Sequence, residues 1–238
     1  MGVFLLNSNF ATAQGYIEGG YKTGIFLNTA GLNSTIADYN TGHQWLTEEM
    51  PSVRGAHGYR FSFGYQGSQD SPFGVYFVIQ ALRAEPTGSG INPYTGVLSY
   101  ERLSVHYGGF GIGPMFTVVH SEVLDVQIGM DLNAFNYYVL RYQKSATPDF
   151  KFLDYEDLEV INNVNPTINL FMRFALFLGP VGIALTPEID IPIYGKNELS
   201  QLAYIWQNTV SEPDAKMRGY NISLNATVII CPKHLSDS

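Results

Sequence analysis

The 238-residue chain predicts an all-β fold: an eight-stranded antiparallel up-and-down transmembrane β-barrel with long outer loops and short periplasmic turns. Three observations carry this prediction. Segments of alternating apolar and polar residues recur along the chain. The links between them run long, short, long, short, long, short, long. No apolar stretch approaches the roughly 18 to 20 residues that a spanning helix requires.

The alternation is cleanest in two places. Tyr59, Phe61, Phe63 and Tyr65 alternate with Arg60, Ser62 and Gly64, and Leu124, Val126, Ile128, Met130 and Leu132 alternate with Asp125, Gln127, Gly129 and Asp131. Successive side chains of a strand point to opposite faces, so each segment has one apolar and one polar side. Extending this reading places strands at 15–27, 57–66, 73–84, 98–117, 123–135, 166–178, 183–193 and 219–231. The links between them are 28–56, 67–72, 85–97, 118–122, 136–165, 179–182 and 194–218. In an outer-membrane barrel the short connections lie at the periplasmic rim and the long ones outside. An even strand count then leaves both termini in the periplasm.

Composition agrees with this class. Only 14% of residues are charged, 24 are glycine, and Tyr and Phe number 16 and 15. The single cysteine, Cys231, rules out an intramolecular disulfide framework. A net charge of −8 argues against nucleic acid as a partner, which needs a basic patch. Residues 1–13 read as the remnant of a secretory signal, with an apolar run at Val3 to Leu6 and an A-x-A pattern at Ala11-Thr12-Ala13 before Gln14. Residues 14–232 form the barrel and 233–238 a polar C-terminal tail.

Alternation alone does not say which face is inside, and a soluble lipocalin-like barrel would carry its apolar face inward around a ligand. Loop asymmetry and Tyr residues near strand ends on the apolar phase (Tyr21, Tyr59, Tyr65, Tyr107, Tyr220) favour lipid outside. The lipid-facing set is then Phe61, Phe63, Val126, Ile128, Met130, Ile168, Leu170, Met172, Phe174, Leu176, Ile189, Ile191, Ile222, Leu224, Ala226 and Val228, uninterrupted by charge. The polar phase supplies a lumen network of Glu18, Lys22, Arg60, Arg102, Asp125, Asp131, Arg173, Glu188 and Asp190. Two features demand irregularity: Pro187 and Pro192 remove ladder donors, calling for a bulge or fraying. The run Gly108, Gly109, Gly111, Gly113, Pro114 predicts a break of phase.

By architecture rather than by motif, the span from Gly15 to Cys231 resembles the small eight-stranded outer-membrane barrels, the OmpA-like transmembrane domain and the OmpX-like proteins. The resemblance implies an outer-membrane location in a Gram-negative bacterium, with outer-membrane lipid around the barrel. Members usually end on an aromatic residue. Here the last strand runs into Ile229-Ile230-Cys231-Pro232 and a polar tail.

Candidate chemistry is sparse. His120-Ser121-Glu122 contains the residue types of a nucleophile, base and acid, but neighbours on an extended chain point apart. Ser104 and His106 share a strand face, in the reverse of the His-x-Ser order used by lipid A deacylases, and read as lumen lining beside Arg102. The acidic loop of Asp149, Asp154, Glu156, Asp157 and Glu159, with Lys151, lacks the spacing of a Ca²⁺ loop and reads as solvated. Trp45, Tyr204 and Trp206 are loop interaction candidates. The sequence therefore predicts a non-enzymatic barrel with no cofactor and no metal, presenting outer loops to a protein partner or supporting a membrane assembly. Its alternatives are a lipid-modifying barrel enzyme and a narrow, porin-like channel.

Overall fold

A computed structural model describes residues 14–27, 29–67, 72–150, 155–193, 197–198, 216–217 and 221–231. The signal-like segment 1–13, Pro232 and the polar tail 233–238 lie outside the described residues. In chain order the elements are β1 (Gln14–Phe26), α1 (Ala30–Gly42), β2 (Leu46–Glu48), β3 (Gly55–Gln66), β4 (Phe73–Ala84), β5 (Thr87–Ile91), β6 (Leu98–His120) and β7 (Leu124–Asn133). There follow β8 (Tyr137–Ser145), β9 (Tyr155–Val164), β10 (Thr167–Leu178), β11 (Val181–Pro192), β12 (Asn197–Glu198), β13 (Lys216–Met217) and β14 (Asn221–Ile230).

Eight strands close into a barrel in the order β1, β3, β4, β6, β7, β10, β11, β14, with β14 returning to β1 from Ile17↔Ile230 to Phe26↔Asn221. All neighbours are antiparallel, and closure removes the free sheet edges that hydrocarbon could not satisfy.

Closure also decides which face is inside. The alternation of β4 is complete, with Phe73, Val75, Phe77 and Ile79 outward and Tyr76, Val78, Gln80 and Leu82 inward. Around the barrel, Phe61, Ile128, Met130, Leu170, Met172, Phe174, Leu176, Ile222, Leu224 and Val228 are exposed on the outer wall. Glu18, Lys22, Arg60, Asp131, Arg173 and Asp190 are at most 3% exposed within it. A soluble ligand-binding barrel would reverse these faces. The fold is an eight-stranded transmembrane β-barrel whose apolar band faces lipid, the architecture of the small outer-membrane barrels of Gram-negative bacteria. Tyr21 and Tyr59 meet edge to face on the outer wall at 6.3 Å, and Tyr65 is exposed towards the opposite end of β3.

The structure departs from the sequence expectation in several places. The first long link is not merely a loop, since it contains α1 and β2. The third contains β8 and β9, which carry the ladder beyond β7 and β10. Tyr107 is buried, not part of an outer girdle; Tyr220 lies outside the described residues. The glycine run in β6 causes no change of face: Leu103, Val105, Tyr107, Met115 and Thr117 are all inward, while Phe110, Ile112 and Phe116 are outward. The bulge falls later, between Thr117 and Val119. Nor does Pro187 shift the register. Pairing of β11 with β10 lapses at Thr186–Pro187 and resumes unchanged, from Phe171↔Glu188 to Phe174↔Leu185. Pro192 ends the strand at the outer rim.

These faces generate a direct test. Met130→Arg, outward on β7, should destabilise the barrel by about 2 to 4 kcal/mol near the bilayer midplane, whereas Met130→Leu should be nearly neutral. Denaturant titrations of protein refolded into lipid vesicles measure both. Equal stability of the two variants would place β7 in the wrong phase.

Candidate functional site: a sealed lumen and its outer cap

The interior has three parts. Tyr16, Tyr76, Val78, Met115, Phe171, Ala175, Phe177, Ala184, Ile229 and Cys231 form an apolar cluster in the barrel. The charged network interleaves with it, Ala175 pairing across the sheet with Asp125, Ile229 with Glu18 and Phe171 with Glu188. Arg173 Nη1 donates to Glu18 Oε2 at 2.8 Å, and its Nη2 donates to Gln66 Oε1 at 3.0 Å and also to Gln127. The guanidinium lies 4.4 Å from the Tyr16 ring centroid. Glu18 also accepts from Ser62 at 3.1 Å and from Thr227. Thus one buried ion pair ties β1 to β10, with further bonds to β3, β7 and β14.

A second centre lies further along β1. Lys22 donates to Glu188 and to Gln80 Oε1 at 2.6 Å, and lies 3.6 Å from Asp190. Arg60 Nε is 3.8 Å from Glu188, and its guanidinium sits over the Phe171 ring. Asp190 accepts from Asn169 and Asn221, both at 2.8 Å. Away from this centre, at the periplasmic end of β7, Asp125 pairs with His120 Nδ1 at 2.7 Å and accepts from Gln66 at 3.1 Å. Burying a charge is costly unless it is paired, and here charge pairs and amide donors replace hydration.

Eight of the nine charged residues that the sequence singles out therefore lie inside the barrel. Arg102 does not. It alternates with Leu103, Val105 and Tyr107, which face inward, so Arg102, Ser104 and His106 take the opposite face. There Arg102 Nε and Ser104 Oγ share Gln143 Oε1, at 2.8 and 3.1 Å, and the guanidinium lies 4.2 Å from the Phe150 centroid. The expectation that these three line the lumen is corrected. Ser121 does not meet His120 in a triad, because its Oγ donates to the Leu124 carbonyl at 3.0 Å and closes the turn.

The third part is an apolar cap over the outer mouth. Leu32, Ile36 and Tyr39, on one face of α1, pack with Phe26, Met50, Val53, Leu82, Leu103, Val105, Tyr107, Leu140 and Tyr142. Asn33 and Asn40, two helical turns apart, fasten the segment that follows β2. Each amide both donates to and accepts from one residue's backbone: Val53 for Asn33 (3.0 and 2.8 Å), Met50 for Asn40 (2.9 and 3.1 Å). Trp45 packs against this core, with its ring edge to His43. Of the loop candidates, Trp45 is thus part of the cap, while Tyr204 and Trp206 lie outside the described residues, as do the side chains of Asp154, Glu156, Asp157 and Glu159. Sequence reasoning missed the cap altogether. Its signal was the spacing Leu32, Ile36, Tyr39, diluted by Gly31, Asn33, Ser34, Thr35 and Asn40, which are poor interior helix formers.

Beyond the rim β6 continues as the spine of a small sheet in the order β2, β5, β6, β8, β9. At the tip of the β5–β6 hairpin Ile91, Tyr94, Val97 and Leu98 are exposed, Tyr94 by 93%.

No family model matches the chain, and no curated protein does. Among solved structures the chain is similar to Ail, the attachment invasion locus protein of Yersinia pestis, in complex with the heparin analogue sucrose octasulfate. That match has 9% identity and a TM-score of 0.43, covering 92% of this chain and 97% of that one. It is also similar to Ail without that ligand, at 8% identity and TM-score 0.40 over 92% and 97% of the two chains. A third match is Neisserial surface protein A, at 10% identity and TM-score 0.40 over 91% and 96%.

Two outcomes follow from the lumen and cap. Glu18→Gln leaves the buried Arg173 without its anion and should cost about 3 to 5 kcal/mol, while Glu18→Gln with Arg173→Met should cost less than either single change. Denaturant unfolding in vesicles reads this double-mutant cycle. In the cap, His43 stacks on Tyr39 at 4.0 Å and donates from Nδ1 to the Tyr39 carbonyl at 2.9 Å. Burial, and secondarily Lys144, hold its imidazole below the ordinary value of 6.5. When the cap opens, His43 regains its usual proton affinity, so the closed cap is favoured above that value and weakened as pH falls through it. Protection of the α1 amides, after correction for the slower intrinsic exchange at low pH, should decrease between pH 7.5 and 5 in the wild type, and His43→Phe should flatten the dependence.

Proposed function

We propose that this barrel is a non-enzymatic outer-membrane scaffold that presents its extracellular sheet to a protein partner. The observation that carries the reading is the length of β6. Twenty-three residues run unbroken from the periplasmic turn into the outer sheet, so the apolar hairpin tip is held on a rigid extension of the wall. A hydrophobic patch placed in water at the end of such a spine costs solubility unless something covers it. Tyr and aliphatic residues at an exposed tip are the side chains that supply buried contact area at protein interfaces.

The enzyme reading lacks support from the one polar pair with suitable spacing. Ser104 gives its proton to Gln143 rather than to His106, so no base is set to activate it. The channel reading is disfavoured by the lumen, which side chains fill and the α1 cap covers.

The test compares bacteria displaying the wild type with bacteria displaying Ile91→Ser, Tyr94→Ser and Val97→Ser together. Equal outer-membrane levels and heat-modifiable migration, with loss of most binding to host-cell or matrix surfaces, are the expected outcome. Unchanged binding would remove the tip as the recognition surface. In the same cells Ser104→Ala should leave the lipid A acyl pattern unaltered by mass spectrometry. An acyl chain removed by the wild type but retained in Ser104→Ala would establish the enzyme instead.

A further inference from the structure

We propose that the upper lumen, between Asp131 and the glycines of β6, is a binding site for a hard metal cation, with Ca²⁺ the best fit. Charge, geometry and unmet hydrogen-bonding capacity all bear on it.

Five carboxylates (Glu18, Asp125, Asp131, Glu188, Asp190) are enclosed with three side-chain cations (Lys22, Arg60, Arg173). Glu18 has Arg173, Glu188 has Lys22 and Arg60, Asp190 shares Lys22, and Asp125 has His120. Asp131 is different. Among the described residues it has no ion-pair partner; the Tyr76 hydroxyl and the Asn133 amide donate to it instead. Arg60 is turned to Glu188 and the Phe171 ring. An enclosed carboxylate with no cation is costly, and a bound metal ion would supply the missing positive charge.

The geometry places acceptors around the same point. A β-carbon built on Gly111 would lie 2.7 Å from both Asp131 Oδ1 and Asn133 Oδ1, so these two oxygens converge over a trough that only glycine leaves open. Gly109, the next inward glycine of β6, lies beneath Asn136 Oδ1. Asp131 is also the first of four inward residues directly paired across adjacent strands, Asp131↔Asn169, Asn169↔Asp190 and Asp190↔Asn221.

The third observation is independent of both. Among the described residues no hydrogen-bond donor meets the Oδ1 atoms of Asn133, Asn136 and Asn169, although each residue is at most 1% exposed. Their amide nitrogens are engaged, with Asp131, with Tyr107 and Thr167, and with Asp190 respectively. Buried carbonyl oxygens without donors are explained by an ordered water or an ion. Water would satisfy the amides and a proton would neutralise Asp131, whereas a single cation answers both. The donors are all oxygen, with no thiol or imidazole among them, which selects a hard ion. Calcium takes about six to eight such ligands at about 2.3 to 2.6 Å, carboxylate and amide carbonyl together.

The experiment refolds the full chain with Tb³⁺ as a luminescent Ca²⁺ surrogate, so that the ion can enter before the cap closes. Emission is read under tyrosine excitation, since Tyr76 and Tyr107 adjoin the site. One saturable, Ca²⁺-displaceable ion per barrel is expected. Asp131→Asn should weaken binding by about tenfold or more, and Gly111→Ala, which fills the trough, should abolish it. Asp149→Asn in the acidic loop should leave it unchanged. Heat-modifiable migration checks that each variant is a closed barrel, and either folded lumen variant suffices. Absence of bound ion in the wild type, binding retained in the folded lumen variants, or binding lost only with Asp149→Asn would each overturn the assignment.

Discussion

Eight strands enclose a space just wide enough for side chains to fill, so a charge turned inward must find its counter-charge there rather than in water. Much of the interior follows from that constraint. The Glu18–Arg173 pair does more than neutralise two residues. The arginine also engages Gln66 and Gln127, and the glutamate engages Ser62 and Thr227, so five strands of the closed wall are tied through one centre. A buried ion pair is weak evidence for stability because desolvation offsets attraction. Its consequence here is specificity: a one-residue slip of β1 against β3 would turn Glu18 and Lys22 towards lipid. The apolar band and the lumen network therefore enforce the same register from opposite faces.

Volume is managed as closely as charge. Gly129 lies under the Phe171 ring, where any β-carbon would collide with the aromatic edge. Phe171 in turn supports Tyr76 edge to face at 5.2 Å and lies under Arg60. Removing side chains from one strand thus makes room for large ones on its neighbours, as in other close-packed interiors. The glycine run of β6 has the same logic and needs no change of face. Its inward positions are emptied because Asp131, Asn133 and Asn136 reach across into the space.

The wall of the barrel was legible in the sequence because one physical signal, period-two alternation against lipid, operates on every strand. The observed strands 73–84 and 98–120 match the expected ones at their starts, and the others begin or end within about two residues. Eight of the nine charged lumen positions follow from the same phase. Arg102 escaped because alternation continues past the rim while the environment changes: beyond the membrane both faces can be covered, so polar phase no longer means lumen. Tyr107 was misplaced for the complementary reason. A tyrosine near a strand end suits an interface, but this one is on the inward phase and gives its hydroxyl a partner in Asn136 at 2.8 Å. The cap was the least legible part. Its helix is held by tertiary packing and by two asparagine clamps rather than by propensity, and those clamps join residues 10 and 20 positions apart.

Sealing the barrel and extending it outward depend on one strand. The inward face of β6 changes along its length from Met115 and Thr117, through glycines, to Tyr107, Val105 and Leu103 under α1. The periplasmic part packs the lumen, the middle yields space to carboxylate and amide oxygens, and the outer part carries a water-excluding core of the kind found in soluble domains. That core excludes water from the mouth, which keeps the dielectric of the charged layer low and every unpaired oxygen within it consequential. The same residues that seal the mouth also fix the base of the β5–β6 hairpin, because Leu103 N donates to the Pro86 carbonyl at 3.0 Å just where the hairpin departs. Exposure of the tip and enclosure of the lumen are therefore mechanically linked, and loosening the cap would be felt at both.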